Sequence, residues 1–462
     1  MCPVNLVWFK RDLRLSDHAP LTTAIQQGLP TLLLYCFEPS LIASPDADLR
    51  HWRFIHESLC DMQAHLPPAC TLLVCHREVT DVLELLCQHY QIKHIYSHQE
   101  TGGALTFDRD KAVAAFCKSH GILWQEFGQD AVVRRLRTRE GWEQQWKSAM
   151  QEAIRSPDLA RLIPVPDLQD IAPQLKGPPL PEAFSRPFAA FQPGGGTNGL
   201  RYLHSFFSSR AEHYTRYISK PELSRRSCSR FSPYLAWGNL SMRQVYQAAE
   251  YYKNGPFARP IRNFQERLMW RSHFMQKMEN HYLIETQTIN PGFEGLGRIF
   301  NERLFEAWAN GQTGYPMVDA SMRSVQATGF LNFRMRAMLV SFLTFPLWQP
   351  WRAGASHLAR LFLDFEPGIH YSQFQMQAGT AGYHTLRVYN PVTQALRHDP
   401  EGVFVRKWVP ELRALPNALL AEPWKMTAME QHFYDCRIGH DYPAPVIDFD
   451  TAARQAKDRY WA

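Results

Sequence analysis

Three groups of residues in this 462-residue chain have types and spacings that could do chemistry. The first is Ser227, Ser229, Arg230, Ser232 and Ser241, crowded just ahead of a helical pattern. Hydroxyls, backbone amides and a guanidinium so placed can grip a phosphate. A capped turn in water uses the same residue types. The second group is Trp270 and Arg271, an aromatic plane and a cation side by side on a helical stretch. Such a pair serves either stacking on a planar ligand or plain core packing with a surface arginine. The third runs through Thr313–Arg323, Gly329–Arg336 and Asp364–His370. Arg334 and Arg336 share a helix with apolar neighbours, and Asp364 and Glu366 follow another helical stretch. Buried arginines and carboxylates need partners, so this group implies an interhelical ion pair or a charged cofactor.

Composition sets the frame for these groups. Hydrophobic residues make up 45% and charged residues 20%, an ordinary globular balance that argues against disorder. Fifty Lys and Arg against 44 Asp and Glu leave a surplus of +6, compatible with a polyanionic partner but too mild to require one. The longest apolar stretch, Ala337–Trp348, is broken by Ser341, Thr344 and Pro346 and falls short of the roughly 18 residues of a membrane span. The start, MCPVNLVWFKRDLRL, is too charged for a secretory signal. The nine cysteines form no CxxC pairs, so neither a disulfide frame nor a metal site is indicated. A cytoplasmic protein is expected.

Stepping along the chain, short apolar runs at 5–9, 30–37, 71–75 and 92–96 read as buried strands. Helical patterns such as Leu49–Leu66 and Glu78–Tyr90 lie between them, which predicts a parallel sheet with helices on its faces. No GxGxxG follows the first run, so a dinucleotide fingerprint is missing. Seven prolines between Pro164 and Pro187, then Gly194–Gly196, predict a connector laid over the surface. Long helical patterns follow, among them 241–253, 260–280, 315–328 and 332–345. The expected fold is α/β followed by all-α: a Rossmann-like domain over 1–132, a linker over 133–199 and a helical domain over 200–462.

The chain resembles the photolyase/cryptochrome family along essentially its whole length. The resemblance is carried by VWFKRDLRLSDHAPL, SCSRFSPYLAWGNLS, GQTGYPMVDASMR, TGFLNFRMR, PWRAG at Pro350–Gly354, YNP at Tyr389–Pro391 and HDPEGVFVRKWVPEL at His398–Leu412. It implies FAD in the helical domain, with Tyr214, Ser229, Arg230 and Ser232 near the phosphates and ribityl chain. It also implies Arg271 near the cofactor, Arg336 and Asp364 beside the isoalloxazine, and Glu366 on the ribose side. In repair members, an electron from light-excited reduced FAD splits a pyrimidine dimer flipped out of DNA. Trp270 matches the pocket wall on which a pyrimidine stacks. Damaged DNA is thus the implied partner of a monomeric protein. A second, antenna chromophore of folate or deazaflavin type is expected near His98 and Glu100, where the fourth run ends.

The chain departs from the family pattern where the chemistry would occur. Arg267 stands at the position of a dimer-contacting Glu, with Glu266 just before it, and Met376 replaces a second pocket Trp. Asn332 and Phe333 take the places of a His and an Asn, and His370 aligns opposite flavin N5. Electron supply in the family runs through three aromatics; Trp308 and Trp351 match the outer and middle members, but Phe374 stands at the inner one. Two readings follow: a light-driven repair enzyme with an unusual pocket, or a cryptochrome-like photoreceptor. A thermal electron-transfer or DNA-binding flavoprotein is a third. The chain reaches Ala462 soon after the shared helical core, without the long tail of many signalling members, which favours repair.

Overall fold

The computed structural model describes residues 1–383 and 386–461. The chain forms two compact units. The first comprises Met1–Ser209, Ser229–Leu283 and Leu363–Ile369, the second Arg210–Cys228, Ile284–Phe362 and His370–Ala462. Among the described residues no helix is long and apolar enough to cross a membrane.

The first unit contains a five-stranded parallel sheet in the order β3-β2-β1-β4-β5. The strands are β1 (Cys2–Phe9), β2 (Thr31–Cys36), β3 (Leu72–Cys75), β4 (Tyr90–His98) and β5 (Leu123–Phe127). The apolar runs predict the first four. They do not predict β5, an edge strand whose Leu123 is 66% exposed, because no continuous apolar run marks it. Val4, Leu6, Leu32, Leu34, Leu73 and Ile95 form the sheet's core together with the helices Val79–His89 and Ala104–His120.

The proline-rich stretch is more structured than its composition predicts. Helix Trp142–Gln151 buries Trp142, Trp146 and Met150. Helix Leu168–Lys176, with Pro173 inside it, adds Leu168, Ala172 and Leu175 to the sheet core. The glycines at its end seat against helix Leu49–Ala64: Gly194 N–H donates to Glu57 Oε2 at 2.6 Å and Gly195 N–H to Ser58 Oγ at 3.0 Å. A Cβ on Gly194 would lie 2.1 Å from the Phe54 carbonyl oxygen, so only glycine permits this approach.

The second unit is helical, with Pro316–Thr328, Phe333–Thr344 and Trp351–Leu361 at its centre. The motif TGYPMVDASMR is a folding device here. Asp319 Oδ1 accepts hydrogen bonds from the Thr313 amide (2.8 Å) and hydroxyl (2.6 Å), and Oδ2 accepts from Gly314 N–H (3.1 Å) and the Tyr442 hydroxyl (2.5 Å). Arg323 closes the same region by pairing with Glu411 at 2.8 Å.

Candidate functional site

In the first unit, helix Ala258–Asn280 turns adjacent residues to opposite environments. Trp270 is 48% exposed, stacked against Phe274 at 5.9 Å and edge-on to His273 at 5.4 Å. It is therefore not a core residue. Arg267, one turn earlier, is exposed as well. Arg271 turns inward: its Nη2 donates to the Leu235 carbonyl (2.9 Å) and to Glu366 Oε2 (3.2 Å), and lies 3.6 Å from Asp130.

Glu366 sits on the segment Leu363–Ile369, which three contacts fix. Trp237 Nε1 donates to the Leu363 carbonyl at 2.9 Å, Arg11 Nη1 donates to the Phe365 carbonyl at 2.9 Å, and a Cβ on Gly368 would lie 2.8 Å from Met275 Cα. Burial pushes the Glu366 carboxyl above its ordinary range, while the Arg11 and Arg271 guanidiniums pull it back. Glu366 Oε1 and Arg271 Nε are both buried without a hydrogen-bond partner among the described residues. An unpaired acceptor and an unpaired donor on neighbouring side chains suit a ligand rich in hydroxyls and polar ring atoms. Asp364, on the same segment, is half-buried.

The phosphate-type group is only partly as its residue types suggest. Ser232 is exposed and opens a helix of five residues, Ser232–Ala236, while Ser229 is half-buried. Arg230 has φ +62°, and its Nε donates to Gln192 Oε1 at 2.9 Å while Gln192 Nε2 donates back to its carbonyl at 2.9 Å. The Arg230 Nε and backbone carbonyl are thus engaged by Gln192 of the connector.

The second unit holds Tyr214, Arg336, His370, Phe374, Met376, Trp351 and Trp308. Arg336 Nε donates to the Leu331 carbonyl at 2.7 Å, and its guanidinium lies 3.9 Å from the Phe362 ring centre. Phe362 is 6.0 Å from His370, which is 5.7 Å from Phe374, which is 6.4 Å from Trp351. The unit therefore lines up Arg336, His370, Phe374 and Trp351. His370 Nε2 donates to the Ala355 carbonyl at 2.9 Å, which assigns its ring proton to that nitrogen. Trp308 is fully buried and so is no surface terminus by itself. Tyr214 is buried and Met376 half-buried.

His98 and Glu100 face inward rather than towards a surface ligand. His98 Nδ1 lies 2.7 Å from Asp12 Oδ2, and Glu100 pairs with Arg109 at 2.7 Å. A second chromophore would need other groups to hold it. Asp130 and Gln192 lie outside every motif, and Arg11, though inside VWFKRDLRLSDHAPL, is not singled out by its residue type or spacing. For Arg11 the available signal was its place just past the carboxyl end of β1, where parallel sheets put functional side chains.

Residues 5–157 match the family described as DNA photolyase, and residues 264–462 match the FAD binding domain of DNA photolyase. The chain is 31% identical to a cryptochrome DASH of Gloeobacter violaceus, over 97% of this chain and 94% of that protein. It is 26% identical to a deoxyribodipyrimidine photo-lyase of Alkalihalophilus pseudofirmus, over 98% and 97%. A bacterial class III photolyase from Agrobacterium tumefaciens shares the fold with a TM-score of 0.87 at 25% identity, covering 100% of this chain and 97% of that one. A Synechocystis cryptochrome does so with a TM-score of 0.88 at 25% identity, covering 99% of each. Sequence and fold agree along the whole chain, and the chain belongs to the photolyase/cryptochrome family with its FAD-binding domain.

Proposed function

We propose that this protein is a DNA photolyase that uses FAD and blue light to reverse UV lesions between pyrimidines, through a pocket of altered chemistry. The observation that carries the reading is the pair on helix Ala258–Asn280: an exposed Trp270 beside an inward Arg271 bound to Glu366. An exposed indole offers a face to an extruded base. The guanidinium next to it serves a buried carboxylate whose second oxygen awaits a donor.

The residues fit the cofactor. A ribose or ribityl hydroxyl can donate to Glu366 Oε1, and Arg271 Nε can donate to a polar ligand atom. In the first unit, Ser229, Arg230, Ser232, Arg271, Asp364 and Glu366 would serve FAD; in the second, Tyr214 and Arg336 would. Bound FAD supplies the light absorption and the transferable electron. His370 and the aromatics Phe374, Trp351 and Trp308 would tune and refill it. For phosphates, the second unit offers a cationic cluster: the His398 imidazole is pushed down by burial and by Arg334, Arg397 and Lys220.

A cryptochrome-like receptor without repair is the second reading, favoured by Arg267 and Met376 standing where repair members carry Glu and Trp. One experiment separates them. Purified protein with a flavin absorption spectrum is mixed with UV-irradiated oligonucleotides in blue light and in darkness. Light-dependent loss of lesions establishes the photolyase. Flavin photochemistry with lesions unchanged overturns the photolyase, and a partner captured in blue light but not in darkness then supports the receptor.

A further inference from the structure

Arg11 follows β1 by two residues, at the carboxyl end of the central strand, and its side chain is only 14% exposed. Its guanidinium stacks 4.3 Å from the Trp237 ring centre, which fixes its plane. From there Nη1 donates to the Phe365 carbonyl at 2.9 Å and lies 3.8 Å from Glu366 Oε2. On its other side Nε lies 3.7 Å from Glu100, which Arg109 holds at 2.7 Å. Arg109 also pairs with Glu38 at 3.0 Å and with Asp110 at 2.9 Å. Charges thus alternate through the unit from Glu38 and Asp110 by way of Arg109, Glu100, Arg11 and Glu366 to Arg271 and Asp130.

We propose that Arg11 is a positioning residue for cofactor binding: it fixes the Glu366 carboxylate and keeps it ionised, so that Oε1 faces the flavin nucleotide as an acceptor. The proposal rests on the reading of Glu366 as an FAD ligand. The geometry divides the work on this carboxylate. Both guanidiniums approach Oε2, which leaves Oε1 without a partner. Arg271 shares its charge with Asp130, so it compensates Glu366 only in part. A buried carboxylate that loses its second cation takes up a proton and becomes a donor, the wrong partner for a hydroxyl that must donate. Arg11 also anchors the backbone one residue before Glu366, so the sheet end sets where this acid stands.

The test measures FAD dissociation constants by flavin fluorescence for the full-length protein and for Arg11→Met, Arg11→Lys, Glu366→Gln and the double variant Arg11→Met/Glu366→Gln. Arg11→Met should weaken FAD binding by about tenfold or more, and Arg11→Lys should recover most of that loss. In the Glu366→Gln background Arg11→Met should add less than about twofold, since residues that act through one contact are not additive. If Arg11→Met does not fold, Arg11→Gln carries the same comparison, keeping a donor for the Phe365 carbonyl while losing the charge. Wild-type affinity in the neutral Arg11 variants, no rescue by lysine, or fully additive losses each overturn the role of Arg11 while leaving Glu366 a ligand. Wild-type affinity in Glu366→Gln overturns the reading of Glu366, and the inference with it.

Discussion

Phe374 lies 6.4 Å from Trp351, ring centre to ring centre, and in the proposed function it is the inner member of the aromatic relay that refills FAD. Phenylalanine is much harder to oxidise than tryptophan, so this step of the usual relay is weak. The structure adds a constraint. A Cβ on Gly354 would meet the Phe374 ring at 3.0 Å and Trp308 at 3.4 Å, so the two rings converge on one tight spot. Phe374→Trp should speed light-driven FAD reduction by an external reductant, at a packing cost of about 1–3 kcal/mol. Trp351→Phe in that background should cancel the gain. Time-resolved absorption after a light pulse measures both.

Trp270 gives a second prediction, for DNA. Its ring is half exposed, so Trp270→Ala should leave the melting temperature nearly unchanged. Binding to UV-damaged DNA should weaken by about 1–3 kcal/mol, the usual worth of a base stacked on an aromatic. Binding to intact DNA should weaken less. Fluorescence anisotropy with matched damaged and undamaged oligonucleotides reads the difference directly.

What the sequence could convey follows from what each residue answers to. Strands β1 to β4 are legible because most of their residues are buried and apolar runs mark them, β3 included although it too lies at an edge; β5 is not, because none of its residues is buried and no apolar run marks it. The capping box at Ser241 was visible as a hydroxyl before a helical pattern, and Ser241 Oγ accepts from Gln244 N–H at 3.0 Å. The packing of the connector is not legible, because proline density says nothing of Leu168 and Leu175, which belong to the sheet core. Trp270 and Arg271 read as a pair, yet only the backbone direction shows that one faces out and the other in. Arg11 was hidden because its partners lie more than 80 positions away, at Glu100, Phe365 and Glu366.

His370 should tune the flavin. Its Nε2–H is committed to the Ala355 carbonyl and its ring packs on Phe362, Tyr371 and Phe374. His370→Asn removes an imidazole that can exchange a proton and substitutes an amide that cannot. Which flavin radical, neutral or anionic, builds up under illumination should therefore change in the variant, as read from the absorption spectrum. Identical spectra for both proteins at every pH would exclude His370 from the photochemistry.

The last prediction concerns acid stability of the first unit. Asp12 Oδ2 receives His18 Nε2 at 2.9 Å and His98 Nδ1 at 2.7 Å, all three side chains being buried. His18 Nδ1 accepts from the Leu21 amide at 3.1 Å, so its proton must sit on Nε2, where it donates to Asp12. Burial pushes His98 down to about 3, and it lowers His18 as well. Asp12 is held well below its ordinary value: burial acts to raise it, but the hydrogen bonds from His18 and His98 outweigh that. A histidine with a depressed folded value binds fewer protons folded than unfolded. Its contribution is therefore complete above the unfolded value near 6.5 and is lost as pH falls towards about 3. Asp12 works in the same direction at lower pH, from its unfolded value downwards. Each unit of depression corresponds to about 1.4 kcal/mol, so the unit should lose several kcal/mol between pH 6.5 and pH 4. Melting temperature should fall steeply across that window for the wild type. His98→Gln, which keeps a donor for Asp12 and cannot take up a proton, should start lower at pH 7.5 and decline more gently. Parallel curves for the two proteins would place the acid sensitivity in other groups.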